Sequence, residues 1–369
     1  MTIGYEVDFL AVGDGEKSGD AIAIRIGDLY GKGDQFVMVI DGGTQQSGAN
    51  LVTHIQDYYE TNTVDLVVST HPDADHSSGL SVVLEQLKVG RLWMHQPWEH
   101  VEDIRDAFKG CRITDDGLIA KLRRSLDNAR DLEHLAKRKG IPIFEPFSDG
   151  EANGQFNGIC VLGPSTAYYE ELLLDYRCTP EPKEAYALGG GTIGVLVEAA
   201  RKTISKVLES FGYETLTDPA EDATSAENNS SVILMLQIDD QQLLFTGDAG
   251  VPALTRAADF AGQFGVNLQV STFQQVPHHG SKRNVGPTIL NRIVGPRLSA
   301  PASTKTVFVS ASKDGAPKHP AKKVTNAYQR RGAKVLATQG VSLRHSHNAP
   351  ARSGWVPATP LRFYEEVEE

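Results

Sequence analysis

Residues 70–80 read THPDADHSSGL, and His71, Asp73, Asp75 and His76 place four potential metal ligands within six residues. A loop so rich in Asp and His costs folding energy unless something compensates its charge. In extended chain, residues two apart point to the same side, so His71, Asp73 and Asp75 can converge, while His76 reaches round from the loop. That supplies ligands for two adjacent cations, with His71 and Asp73 on one and Asp75 and His76 on the other. The run that leads into the motif, VDLVVST (64–70), is short and continuously apolar. Such a run predicts a strand buried on both faces between helices.

Working outward, three more ligand-bearing loops follow apolar runs: FTGDAG with Asp248, VPHHGSKRN with His278 and His279, and VSASKDGAPKHP with His319. Sites in layered α/β proteins collect at strand ends, so these loops form a coherent set. The rest alternates strand and helix patterns in both halves, which predicts an α/β protein with helices outside. SVVLEQLKVG reads as a helix closed by Gly90, and RLWMHQPW as a strand stopped by Pro97. SVILMLQIDDQQLLFTGDAG reads as a hairpin turning at Asp239-Asp240. AKVLATQGVSLRHS reads as two closing strands. Asp41-Gly42-Gly43 reads as a turn. Residues 98–140 are helical in pattern, whereas 166–227 combine a helical piece, a GGG at 189–191 and the polar run TDPAEDATSAENNSS, whose composition is that of a mobile loop.

HPDADH resembles the HxHxDH signature of the metallo-β-lactamase superfamily, with Asp73 in place of the second His. Together with FLAVGDGEKSGDAIAIRIG, DGG at 41–43, NNSS at 228–231, TGD at 246–248, PHHGS at 277–281 and HP at 319–320, it resembles the ComEC-type subgroup, the hydrolase domain of competence proteins. The resemblance covers about 1–97, 141–165 and 228–345. It implies an αββα sandwich of the metallo-β-lactamase fold, here a single domain over 1–369 with insertions at about 98–140 and 166–227. It further implies two divalent metal ions in an edge cleft, bridged by Asp248. His71 and Asp73 would hold one, and Asp75, His76 and one of the His278-His279 pair the other. His279 is the favoured ligand and His278 the neighbour of the substrate. The superfamily's further His should lie near VLGPS (161–165), where this chain has Gly163, so His95 or His319 is expected to fill the vacancy if water does not.

The Asp-rich set favours manganese, whereas His71, His76 and His279 suit zinc, so zinc or manganese is expected. Two such ions about 3.5–4 Å apart lower the pKa of a bridging water to about 7, and the resulting hydroxide attacks an ester centre in line. Asp75, His278 and Lys282 are the catalytic candidates; Ser281, Arg283, His95 and His319 are the candidates for holding substrate, and Lys313 and Lys318 lie close to the last of these. Basic side chains that can grip phosphate oxygens make phosphodiester hydrolysis the leading reaction, with nucleic acid or a nucleotide among the substrates. Hydrolysis of a small ester, lactone or amide is the second reading. A non-catalytic binding protein with a degenerate metal site is the third.

Composition bounds these readings. The 369 residues are 40% hydrophobic and 22% charged, with a net charge of −11. That balance is the reverse of the basic surface that proteins coating duplex nucleic acid present. No apolar run reaches the ~18 residues a membrane span needs. Cys111, Cys160 and Cys178 are odd in number and form no CxxC pair, which points to the reducing cytoplasm rather than a disulfide framework.

Overall fold

The computed structural model describes residues 3–12, 18–31, 33–104, 117, 119, 126–176, 206–314 and 319–368. The strands of the first half are β1 (Gly4–Phe9), β2 (Ala21–Gly27), β3 (Gln35–Gly42), β4 (Thr63–Val68), β5 (Lys88–Trp93) and β6 (Ile143–Phe144). Those of the second half are β7 (Ile159–Gly163), β8 (Lys206–Leu208), β9 (Ile233–Ile238), β10 (Gln241–Phe245), β11 (Phe273–Gln275), β12 (Lys305–Val309), β13 (Ala333–Ala337), β14 (Leu343–His347) and β15 (Glu366–Glu368). They form a seven-stranded sheet in the order β14-β1-β2-β3-β4-β5-β6, a six-stranded sheet in the order β13-β12-β11-β10-β9-β7, and a small β15-β8 pair.

Strand alternation dictates how the layers stack. Successive side chains point to opposite faces, and here both faces are apolar. Met38, Ile40, Leu66 and Val68 point into a shared core with Leu234, Leu236, Phe245, Phe273 and Phe308 of the second sheet. Val37, Val39 and Val67 point outward onto Leu51, Ile55, Val83, Leu84 and Leu132 of the helices Gln45–Tyr58, Leu80–Gln86 and Asp127–Lys139. On the far side, the helices Val251–Gln263, Pro287–Ile293 and Lys322–Arg330 cover the outer face of the second sheet through Leu254, Ile289, Leu290 and Val324. The result is the αββα sandwich that the sequence predicts.

Three details depart from expectation and one completes it. Gly90 does not end a helix: the helix stops at Gln86, and Gly90 sits inside β5, where an added Cβ would lie 2.8 Å from the Asp65 carbonyl oxygen. The two closing strands form as expected and join different sheets: β13 edges the second sheet, whereas β14 pairs antiparallel with β1. The run LQVSTFQQV, which the pattern predicts to be one strand, is strand only at Phe273–Gln275, after a short 3₁₀ turn over Leu268–Val270. The polar run before NNSS is anchored: the Asp218 carboxylate accepts from Thr288 N and Oγ1, and Thr224 Oγ1 donates to the Arg283 carbonyl. The GGG at 189–191, Cys111, Cys178 and Lys318 lie outside the described residues.

Candidate metal centre

β3 and β4 are parallel, as are β10, β11 and β12, so their C-terminal ends deliver loops to one edge of the sandwich. Asp41 ends β3, His71 follows β4, Asp248 follows β10, His278 and His279 follow β11, and Ser310 follows β12. β2 runs antiparallel to β3 with Ala21 opposite Gly42, which brings Asp20 to the same edge.

Asp248 is the hub. Its Oδ2 lies 3.9 Å from His71 Nε2, 3.5 Å from His76 Nε2, 3.5 Å from His278 Nδ1 and 3.8 Å from His279 Nε2. The loop carrying it is clamped on all sides. Ser231 Oγ accepts from Asp248 N, Asn229 Oδ1 accepts from Gly250 N, and Asn284 Nδ2 donates to the Asp248 carbonyl. Gln275 Oε1 accepts from both Thr246 N and Gly247 N. The NNSS segment thus acts largely as scaffolding for this aspartate.

The three buried histidines around Asp248 are each oriented through Nδ1. His76 Nδ1 donates to Asp41 Oδ2 at 2.8 Å, and His279 Nδ1 donates to the Ser310 carbonyl at 2.9 Å. His71 Nδ1 donates to Thr70 Oγ1 at 3.0 Å, and that hydroxyl donates onward to Asp41 Oδ2 at 2.6 Å. Asp41, read from the sequence as a turn residue, therefore sets the ring orientation of two histidines. Holding Nδ1–H in this way leaves the Nε2 lone pair for a metal, which is how metal-ligating imidazoles are held.

The atoms left over converge. His71 Nε2, His76 Nε2, His279 Nε2, Asp248 Oδ1 and Asp20 Oδ1 are all buried and have no hydrogen-bond partner. Buried polar atoms are paired in folded proteins, and those that are not require an explanation such as an ion. Three groups of side chains each bring ligand atoms within 4.8 Å of one another: Asp41, His71 and His76; Asp75, His76 and His279; and Asp20, Asp248 and His279. Imidazole Nε2 and carboxylate oxygens are donors for divalent transition metals, so the residues present fit such ions.

The electrostatics match. Burial pushes the Asp248 carboxyl upward, but the His76, His278 and His279 rings outweigh it and hold it well below the usual carboxylate range. Burial lowers His76, yet Asp248 and Asp41 overcome it and raise this ring well above its ordinary value. Burial pulls His279 down to about 4 and also lowers His71. Burial raises Asp20 to about 8.

The remaining sequence candidates fall in different places. Asp73 is half-buried and belongs to none of the three groups, although its charge acts on His71. His278 is the more open of the His pair, its side chain 32% exposed, with Nδ1 accepting from Asn228 Nδ2 at 2.7 Å. His319 sits beside this pair, its ring 6.4 Å from each of theirs, with a buried Nδ1 that has no partner. Lys282 and Arg283 are exposed just past the pair, as is Lys313 on the loop leading to His319. Ser281 is buried, and its hydroxyl oxygen accepts from Arg283 N. His95 lies outside the three groups. It is stacked between Phe147 at 4.7 Å and Tyr169 at 4.5 Å, and burial takes it down to about 3. At Gly163 an added Cβ would meet Ala257 at 3.8 Å and Ile233 at 3.9 Å, so a side chain there would set out toward the helix Val251–Gln263.

No family model matches the chain. It is 26% identical over 170 residues to ComE operon protein 3 of Bacillus subtilis (strain 168), a match that spans 46% of this chain and 20% of that protein. The chain thus corresponds to about a fifth of the length of this curated relative, which fits the ComEC-like resemblance of the motifs. Among solved structures it is similar to the metallo-beta-lactamase fold protein YhfI from Bacillus subtilis, with a TM-score of 0.40 and 7% identity over 92% of this chain and 99% of that one. It is also similar to a diphosphatase from the PhnP family, with a TM-score of 0.39 and 9% identity over 94% and 99% of the two chains.

Proposed function

We propose that this chain is a metal-dependent hydrolase of phosphodiester bonds, working with two divalent cations, zinc or manganese. One observation carries the reading: buried, unpaired imidazole and carboxylate atoms of His71, His76, His279 and Asp248 face one another at a sheet edge. Asp75, His76 and His279 would hold one cation and His71 and Asp73 the other, with the Asp248 carboxylate serving both. Bound there, the cations supply Lewis acidity and a water of lowered pKa.

The chain's own groups do the rest. Asn228 Nδ2–H donates to His278 Nδ1, which places the ring proton on Nε2, ready for the oxygen of a departing group at the open side of the site. Lys282 and Arg283, exposed beyond it, hold phosphate oxygens. The diphosphatase among the similar structures and the competence-operon relative accord with a phosphate ester or a nucleic acid as substrate. We take the chain to act as one domain, because a single core joins both sheets, and we assign it to the cytoplasm.

The net charge of −11 favours one competitor, a small uncharged ester, lactone or amide. Assays of the full chain on an aryl phosphodiester, on single-stranded DNA and on an aryl carboxyl ester, each with manganese or zinc added, separate the two. Phosphodiester turnover that disappears in Asp248→Ala is expected. Turnover of the carboxyl ester alone overturns the phosphodiester reading, and an Asp248→Ala variant as active as the parent overturns the site.

A further inference from the structure

Asp20 is a buried carboxylate that the ligand motifs do not include, and only 1% of its surface is exposed. Its Oδ2 accepts from Gln275 Nε2 at 2.8 Å, while Oδ1 is buried and has no partner. The same Gln275 holds the backbone amides that precede Asp248, so one side chain fixes the positions of both aspartates. Asp20, Asp248 and His279 offer ligand atoms within 4.8 Å of one another.

The backbone that delivers Asp20 is built for close approach. An added Cβ at Gly19 would lie 2.3 Å from the Asp75 carbonyl oxygen, so only glycine lets this segment press against the HPDADH loop. On its other side, Ser310 Oγ donates to the Gly19 carbonyl at 2.6 Å, and Ser18 Oγ accepts from Ser312 N at 3.1 Å. The segment is wedged between the loop carrying Asp75 and the end of β12. A wedge with no ligand role would not need to hold a buried carboxylate with an unpartnered oxygen beside two other ligand residues.

We propose that Asp20 is a further cation ligand of this centre. It adds an oxygen donor beside Asp248 and His279, and it biases the site toward a hard cation such as manganese. The inference rests on the two-cation reading above. Oxygen donors favour manganese over zinc relative to imidazole, so removing this one should shift the selectivity of the site rather than merely weaken it.

Competitive loading tests this. The full chain, stripped of metal, is equilibrated with manganese and zinc together, and bound metal is counted by mass spectrometry, with calorimetric titration of each ion separately. Asp20→Asn keeps the shape and an acceptor for Gln275. The expected result is a loss of about tenfold or more in manganese affinity, with a smaller loss for zinc and a lower manganese-to-zinc ratio. Asp20→Ser, neutral and smaller, must show the same selective loss. Metal-free Asp20→Asn should melt close to the metal-free parent, because asparagine keeps the shape of the side chain and the acceptor for Gln275. Both variants binding manganese within about twofold of the parent overturns the assignment, as does an equal loss for both ions. If the parent takes up neither ion, the two-cation reading itself fails and this inference falls with it.

Discussion

Asp41→Asn is the most informative single change near the centre. The Asp41 carboxylate is fully buried and accepts three hydrogen bonds: Thr70 N at 2.8 Å, Thr70 Oγ1 at 2.6 Å and His76 Nδ1 at 2.8 Å. An asparagine can keep the first through its oxygen, but its amide group must then face two donors. His76 escapes the clash by moving its proton to Nε2, which covers the lone pair now directed at Asp248. Thr70 can turn its hydroxyl to accept from the amide, which disturbs the bond that orients His71. Two of the histidine donors are compromised while no ligand is deleted. Losing such supporting contacts typically lowers metal affinity 10–100-fold, or about 1.4–2.8 kcal/mol. The assay is calorimetric titration of metal-free parent and variant with zinc and with manganese, alongside melting curves of both metal-free forms. The expected result is weaker binding with a melting point near the parent's. Affinities within about twofold of the parent would refute the idea that Asp41 sets the histidine tautomers.

Three further outcomes follow from the packing. Gly280 has φ +81°, and an added Cβ would lie 2.5 Å from Pro320 Cβ; Gly280→Ala should cost about 1–3 kcal/mol in denaturant titration and weaken metal binding by shifting His279. Arg352 makes a two-point contact with Asp8, at 2.8 and 3.0 Å, and reaches Glu6 at 3.1 Å, all beneath the surface; Arg352→Met leaves both acids short of a partner and should cost about 3 kcal/mol or more, read as a lower denaturation midpoint. Burial lowers His100, but Glu145 at 3.2 Å and Glu170 at 3.1 Å raise it above its ordinary value overall. A base whose pKa rises on folding stabilises most where the unfolded chain is still protonated, and the gain fades as pH climbs through the folded value. The parent should therefore exceed His100→Gln in melting temperature at about pH 5.5 and lose that advantage by about pH 8.5; a difference that grows with pH would contradict the pairing.

The ligand loops were legible because each follows a short apolar run, and a buried strand ending in Asp or His leaves few reasons other than an ion. The helix-covered sheets were legible for the same reason: a run such as Leu66–Val68 is apolar on both faces only when both are covered, whereas the two-sheet sandwich came from the family resemblance. The residues that aim the ligands were not legible. Asp41 precedes two glycines and reads as a turn, Gln275 reads as an ordinary strand residue, and Asp20 precedes a strand with no ligand motif around it. Their roles arise from which strands become neighbours, and strand order is not written in local periodicity. Gly90 was misread for a related reason, since a glycine that allows a neighbouring backbone to approach looks the same as one that ends a helix.

The antiparallel ladder between β1 and β14 couples residues more than three hundred positions apart, Tyr5 with His347 and Phe9 with Leu343. During translation the amino-terminal strand therefore emerges long before the segment that will flank it. Until then one border of the larger sheet offers bare amides and carbonyls to any extended peptide nearby. A nascent chain halted before position 343 should recruit chaperones or self-associate along β1, whereas once β14 has paired with β1 that strand is interior and β14 becomes the border of the sheet.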